Sequence, residues 1–279
     1  MRHSDTHVVF ALALMVLLLA GCAQFPVQDH GPAMPIDVSQ VPNAVPRYEP
    51  RSPYGNPPSY TVNGQTYDVL PNCTGYHERG IASWYGTKFH GGRTSDGETY
   101  DMYTMTAASK VLPLPCYVQV TNLQNGKSVI VKVNDRGPFV ANRIIDLSYA
   151  AAARIGMLGT GTALVDVIAV SPGEPTPPIG PGSNVPVQNT PPVNAATGTI
   201  NKPQIFVQVG AFANQSNAER VLQHLQASAI SRVFILTEIQ NGITFYKVRI
   251  GPLPDVSVVD ALTAQLGRLG FANAQVVIP

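Results

Sequence analysis

Apolar and polar positions alternate in short runs along this chain, and the runs fall into two separated groups. In the first, Ala82-Ser-Trp-Tyr85, Tyr117-Val-Gln-Val-Thr121, Val129-Ile-Val-Lys-Val133 and Ala163-Leu-Val-Asp-Val-Ile-Ala-Val170 are rich in β-branched and aromatic residues and read as strands. Asn125-Gly126 is a two-residue hairpin signal between the second and third. Ser148 is placed to cap a short Ala-rich helix from Tyr149 to Ile155, which Gly156 ends. Short strands with long connections predict a small closed barrel rather than a sandwich.

The second group begins with a strand, Ile205-Phe-Val-Gln-Val209, followed by Ala218, Val221, Leu222 and Leu225 at helical spacing. Strands from Val233 to Ile239 and from Ile243 to Ile250 flank Asn241-Gly242. A second stripe, Val258, Leu262, Leu266 and Leu269, precedes a last strand from Ala274 to Ile278. The order βαββαβ predicts a four-stranded, ferredoxin-like sheet with both helices on one face and the other face free to bind. The expected fold class is therefore mainly β followed by α+β.

The 25 prolines and 24 glycines gather outside these runs and divide the chain. Residues 1–21 read as a signal peptide, with Arg2 ahead of an uncharged apolar stretch from Val8 to Leu19, too short to span a bilayer comfortably. Leu19-Ala-Gly-Cys22 resembles the bacterial lipobox, which implies acylation of Cys22 as the first mature residue; Ala23, where an Asp would retain the protein at the inner membrane, points to the outer membrane. Residues 22–59 then form a lipidated, proline-rich tether, 60–170 the barrel, 171–202 a linker and 203–279 the α+β domain. A net charge of +1 carries no footprint for nucleic acid. With Cys22 acylated, Cys73 and Cys116 remain as a candidate disulfide in an oxidising compartment; two unpaired thiols are the alternative. No ligand spacing for a metal is present, and no cofactor is expected.

Chemistry concentrates between Gly80 and Phe139. Trp84, the only tryptophan, and Tyr85 offer aromatic faces that suit sugar rings, although Trp84 serves equally as core. The loop from His90 to Asp101 carries glycines and three carboxylates but lacks the strand and helix of a phosphate-binding loop. Asp135 lies where an apolar strand ends at a rim. It is either a functional acid or an ion-pair partner of Arg136, and strand alternation would point those two side chains apart. A nearby carboxylate such as Glu98 would raise the proton affinity of one member of the pair.

These residues carry a specific resemblance. Ala82-Ser-Trp-Tyr-Gly86, Phe89-His-Gly91, Thr94, Gly97-Glu98, Tyr100-Asp-Met102, Thr106-Ala-Ala108, Leu112-Pro-Leu-Pro115, Val120-Thr-Asn-Leu123 and Asn134-Asp-Arg-Gly-Pro-Phe139 resemble the rare lipoprotein A (RlpA) family. Phe206-Val-Gln-Val-Gly210 and Val248-Arg-Ile-Gly-Pro252 resemble a SPOR domain. The resemblance implies a six-stranded double-psi β-barrel with lytic transglycosylase activity on peptidoglycan lacking stem peptides, and a module that recognises such glycan at the division septum. It implies catalytic roles for Asp135 and Glu98. Asp135 would protonate the glycosidic oxygen and then take the proton of the C6 hydroxyl that closes a 1,6-anhydro ring; Glu98 would raise the pKa of Asp135 or stabilise positive charge on the sugar. Trp84, Tyr85, His90, Thr94 and Arg136 are expected to hold sugar in the barrel, and Gln208, Phe212, Tyr246 and Arg249 on the open face of the SPOR sheet, with Phe212 and Tyr246 fitting the core equally well. Further partners in the division machinery are left open. One position departs: Ser109 stands where the family commonly has His, and a hydroxyl does not accept a proton near neutral pH as imidazole does. A glycan-binding protein without catalysis and a structural tether between membrane and wall are therefore the competing readings.

Overall fold

The computed structural model describes residues 29–34, 36–173 and 203–279. The leader, Cys22 and the linker from residue 174 to 202 lie outside the described residues. A hairpin of β1 (Ser59–Val62) and β2 (Gln65–Asp68) comes first, turning on Asn63 and Gly64 with φ of 51° and 79°. Six strands then close a barrel: β3 (His77–Tyr85), β4 (Thr106–Ser109), β5 (Cys116–Asn122), β6 (Ser128–Asp135), β7 (Arg143–Ser148) and β8 (Ala163–Ala169), in the order β3-β7-β4-β6-β5-β8. The pairs β3–β7 and β4–β6 are parallel and the other four antiparallel. Inward positions are apolar and include Ala82, Ala107, Val118, Val131, Val133, Ile145, Leu147 and Val165.

Helix α1 (Tyr149–Arg154) starts where the Ser148 hydroxyl accepts the Ala151 amide at 3.2 Å, and Gly156 follows its end at φ 72°. The turn between β5 and β6 is longer than the expected two residues. Gly126 N–H donates to the Asn122 carbonyl at 2.8 Å, and Asn122 and Asn125 both donate their side-chain amides to the Ile155 carbonyl at 3.0 Å, so the turn is tied to the end of α1.

The segment expected to be a free tether is laid on the barrel from Asp29 onward. The Asp29 carboxylate accepts the Gly86 and Lys88 amides at 2.7 and 3.0 Å, Ala44 N–H donates to the Ile130 carbonyl at 3.0 Å, and Ser52 N–H to the Leu114 carbonyl at 2.8 Å. Proline removes donors but leaves carbonyls, and an extended chain of this composition satisfies itself on a barrel wall as well as in water. Val38 is buried beneath this strap in the barrel's core.

The second unit runs β9 (Ile205–Phe212), α2 (Gln215–Ala227), β10 (Val233–Gln240), β11 (Ile243–Leu253), α3 (Val256–Arg268) and β12 (Gln275–Val277). Its antiparallel sheet has the order β10-β11-β9-β12. Asn214 and Asp255 cap the two helices, and Asn241 and Gly242, at φ 50° and 78°, make the expected two-residue hairpin. Ile81 and Leu164, apolar residues on the outside of the barrel, pack into the core of this unit. Arg143 forks onto Asp260, with N–O distances of 3.0 and 2.6 Å.

Candidate active site

The outer face of the barrel over β3, β7, β4 and β6 holds the candidate chemistry. Ser83 pairs with Asp146, Asp146 with Ala108, and Ala108 with Asp135, so these four residues form one cross-strand row in which Ala108 is buried and Ser83, Asp146 and Asp135 are partly exposed. Asp135 reaches the row through a bulge. Ala107 pairs with Val133 but Ala108 with Asp135, so Asn134 is an extra residue, and it turns Asp135 outward when alternation from Val133 would have turned it in.

Asp135 Oδ1 accepts three hydrogen bonds: Ser95 N at 2.8 Å, Ser95 Oγ at 2.6 Å and Arg136 N at 2.8 Å. Glu98 is held separately. Lys132 Nζ and Asn134 Nδ2 donate to its two oxygens at 2.6 and 3.0 Å. Burial by itself would raise the pKa of Glu98, but these two hydrogen bonds and the lysine charge bring it below the usual range. The expected repulsion of Asp135 by Glu98 is therefore not what the geometry offers, because Lys132 offsets the charge.

Asp146 is the third carboxyl of this face. It is half-buried, the Ser83 hydroxyl hydrogen-bonds to it, and its Oδ1 is sealed from solvent with no hydrogen-bond partner among the described residues. Burial raises its pKa to about 7, aided by the charges of Asp29 and Asp135 and opposed by Ser83 and Arg143.

The remaining expected residues divide. Trp84 is half-buried, edge-on to Tyr149 at 5.9 Å, and His90 is exposed, accepting the Met102 amide at 3.2 Å. Tyr85 is buried and stacked on Tyr100 at 4.1 Å, so its ring is not offered to sugar. Thr94 is buried and organises its loop through Asp96 Oδ1 at 2.6 Å. Arg136 does not hold ligand either. It donates to the carbonyls of Gly55, Ser109 and Leu112 at 2.8, 3.0 and 2.5 Å and to Asn56 Oδ1 at 3.1 Å, clamping the strap and the β4–β5 connection to β6.

A family model described as lytic transglycolase matches residues 77–167, and a SPOR domain model matches 202–278. Endolytic peptidoglycan transglycosylase RlpA of Pseudomonas aeruginosa is 41% identical over 268 residues, covering 82% of this chain and 78% of that protein. The protein of the same name from Vibrio cholerae is 38% identical over 271 residues, 95% of each chain. The chain belongs to the RlpA family. The solved SPOR domain of Pseudomonas aeruginosa RlpA is 28% identical, covering 27% of this chain and 99% of that structure, with a TM-score of 0.26.

In the SPOR domain of this RlpA-family chain, the four expected residues fall on two faces. A register shift between Val248 and Arg249 changes the parity of β11 against β9. Gln208 and Arg249 lie on the open face, joined by a 3.1 Å bond from Nε to Oε1, whereas Phe212 and Tyr246 pack toward the helices. Phe206 and Phe234, edge to face at 5.9 Å, stand beside Gln208 and Arg249 and were not among the expected contacts. Strand alternation at Phe206 and Gln208 was the available signal. Asp146, Lys132 and Ser95 were likewise missed; a single charge inside an apolar run, as in Arg143-Ile-Ile-Asp-Leu-Ser148 and Val129-Ile-Val-Lys-Val133, was the signal for the first two.

Cys73 and Cys116 come together as thiols. Their side chains are hydrogen-bonded to each other, which brings Cys73 down to about 7 and pushes Cys116 up.

Proposed function

We propose that this chain cleaves the bond between N-acetylmuramic acid and N-acetylglucosamine in peptidoglycan strands lacking stem peptides, leaving 1,6-anhydro ends. The observation that carries this reading is Asp135, turned onto the outer face by a bulge and fixed there by three donors beside the Glu98–Lys132 pair. In this reading Asp135 accepts the proton of the attacking C6 hydroxyl, and Glu98 offers negative charge to the oxocarbenium-like transition state. The internal nucleophile is already tethered to the sugar, which supplies much of the rate advantage. Trp84 and His90 are the barrel residues that support sugar binding. The open SPOR face around Gln208 and Arg249 holds the glycan at the septum, and an acylated Cys22 anchors the chain in the outer membrane with its domains in the periplasm. A second reading, glycan binding without cleavage, draws on Ser109 alone.

The test is mass spectrometry of products after incubating the mature chain, Cys22 to Pro279 in detergent, with peptide-stripped peptidoglycan. Anhydro-ended fragments from the wild type and none from Asp135→Asn support the transglycosylase. New reducing ends would instead indicate a hydrolase, and intact glycan that still sediments the protein would favour the binding reading.

A further inference from the structure

We infer that Asp146 is the catalytic acid of this barrel, donating the proton to the leaving glycosidic oxygen while Asp135 receives the proton of the attacking hydroxyl. The inference rests on the transglycosylase reading and assigns the donor that reading lacks. Asp135 is a poor donor here, since its Oδ1 already accepts from Ser95 N, Ser95 Oγ and Arg136 N, and Glu98 is paired with Lys132. Glu98, brought below the usual carboxylate range by Lys132 and Asn134, has no reason to hold a proton.

Asp146 differs in position and surroundings. It shares the row with Asp135, separated from it only by Ala108, a small residue that is itself buried. Two strand spacings of about 4.8 Å place their α-carbons about 10 Å apart. The groups facing Asp146 come from every neighbouring element: Ser83 and Tyr85 on β3, Asp135 on β6, Arg143 on β7, Asp29 of the strap and Tyr100 of the β3–β4 loop. Only Arg143 brings positive charge, and it is engaged by Asp260. With Oδ1 sealed and unpartnered, ionisation of Asp146 would leave charge on an oxygen that nothing solvates. The neutral carboxyl is favoured, and its pKa of about 7 agrees with that placement.

The step balances. The Asp146 proton moves to the bridging oxygen as the C1–O bond breaks, and the bonding pair leaves with that oxygen as the free hydroxyl of N-acetylglucosamine. The C6 hydroxyl oxygen of N-acetylmuramic acid bonds to C1, its proton passes to Asp135, and return of that proton through solvent to Asp146 restores the site. One C–O bond is lost and one is gained.

The experiment compares the wild-type mature chain with Asp146→Asn, Asp146→Glu and Ser83→Ala, reading the rate of anhydro-ended product from pH 5 to 9, with co-sedimentation on glycan and the fluorescence of Trp84 as controls for binding and folding. Loss of a positioned acid costs about 100-fold or more. The wild-type rate is expected to fall about tenfold per pH unit above about 7, as Asp146 loses its proton. Asp146→Asn should bind glycan normally, lose about 100-fold in rate and lose that alkaline limb; Asp146→Glu should recover part of the rate with a displaced limb. Ser83→Ala removes a hydrogen bond to the anion and should move the limb to higher pH. A folded Asp146→Asn within about threefold of wild type, or a Ser83→Ala limb that does not move, overturns the assignment. Absence of product from the wild type at every pH overturns the transglycosylase reading itself, a result distinguishable from the first.

Discussion

Replacing Asp146 by Asn should stabilise the barrel, and only above acid pH. The carboxyl's pKa is raised from 3.8 in the unfolded chain to about 7 in the fold. A raised acid binds its proton more tightly when folded, so the fold carries no penalty well below pH 4, where both states are protonated. The penalty grows by about 1.4 kcal/mol per pH unit between the two pKa values and levels off above about 7. With a shift of about 3 units, the wild type gives up about 4 kcal/mol at pH 8 and about 0.5 kcal/mol at pH 4. Asn imitates the neutral carboxyl and has no such term. Its own amide leaves a donor to satisfy, at a cost of about 1–3 kcal/mol, but that cost is the same at both pH values. The quantity to measure is therefore the difference between pH 8 and pH 4 in the stability change caused by the substitution. Trp84 is the only tryptophan and lies in β3, so urea unfolding followed by fluorescence reports the barrel without the SPOR domain. The substitution should gain about 3–4 kcal/mol more at pH 8 than at pH 4. A change equal at the two pH values, within about 1 kcal/mol, would refute the claim that Asp146 is held neutral.

Other consequences follow from the same geometry. Arg136→Lys keeps the charge but loses the fork over Gly55, Ser109, Leu112 and Asn56, and should cost about 2–4 kcal/mol in the same urea assay without altering glycan affinity. Lys132→Met removes the cation that keeps Glu98 ionised. A carboxylate whose pKa was depressed then titrates at higher pH, so the acid limb of the rate profile should move upward. Gln208→Ala and Arg249→Ala should each weaken sedimentation on peptide-free glycan about tenfold, whereas Tyr246→Phe, on the helix-covered side, should leave it unchanged. The chain exported to the periplasm should be two hydrogens lighter before reduction than after, because the Cys73 and Cys116 thiols are already in contact; an unchanged mass on reduction would sink the disulfide.

The parts of this molecule that were legible are those whose signals are local. The β-branched runs of β5, β6 and β8 and both helical stripes of the second domain announce themselves through period and branching. The strands that went unread, Thr106–Ser109 and Arg143–Ser148, are short, and alanine or polar residues dilute them. Asn63-Gly64 adjoins proline-rich sequence that masks the hairpin, although its turn chemistry is the same as that of Asn241-Gly242. The site failed where pairing is long-range. Nothing near Arg136 in sequence shows that carbonyls from residues 55, 109 and 112 converge on it, nor that Lys132, 34 residues from Glu98, takes up that charge. Parity explains the rest: Tyr246 and Arg249, three residues apart, alternate onto opposite faces, and the extra residue at Val209 separates Phe212 from Gln208.

Position 109 shows how the placement of side chains changes a sequence argument. A serine where relatives of this family commonly carry histidine reads as a lost proton carrier. Ser109, however, follows Ala108 on β4 and so points away from the row that Ala108 shares with Asp135 and Asp146. Its hydroxyl is buried and accepts the Val111 and Leu112 amides at 3.3 and 3.1 Å, which shapes the turn toward β5. The carboxyls of the outer face have different surroundings instead: Asp135 lies among amide and hydroxyl donors, Glu98 against a lysine, and Asp146 in a buried position that disfavours its charge. In the proposed reaction the proton comes from a carboxyl that burial keeps neutral, Asp146, and that placement does not depend on an imidazole at position 109.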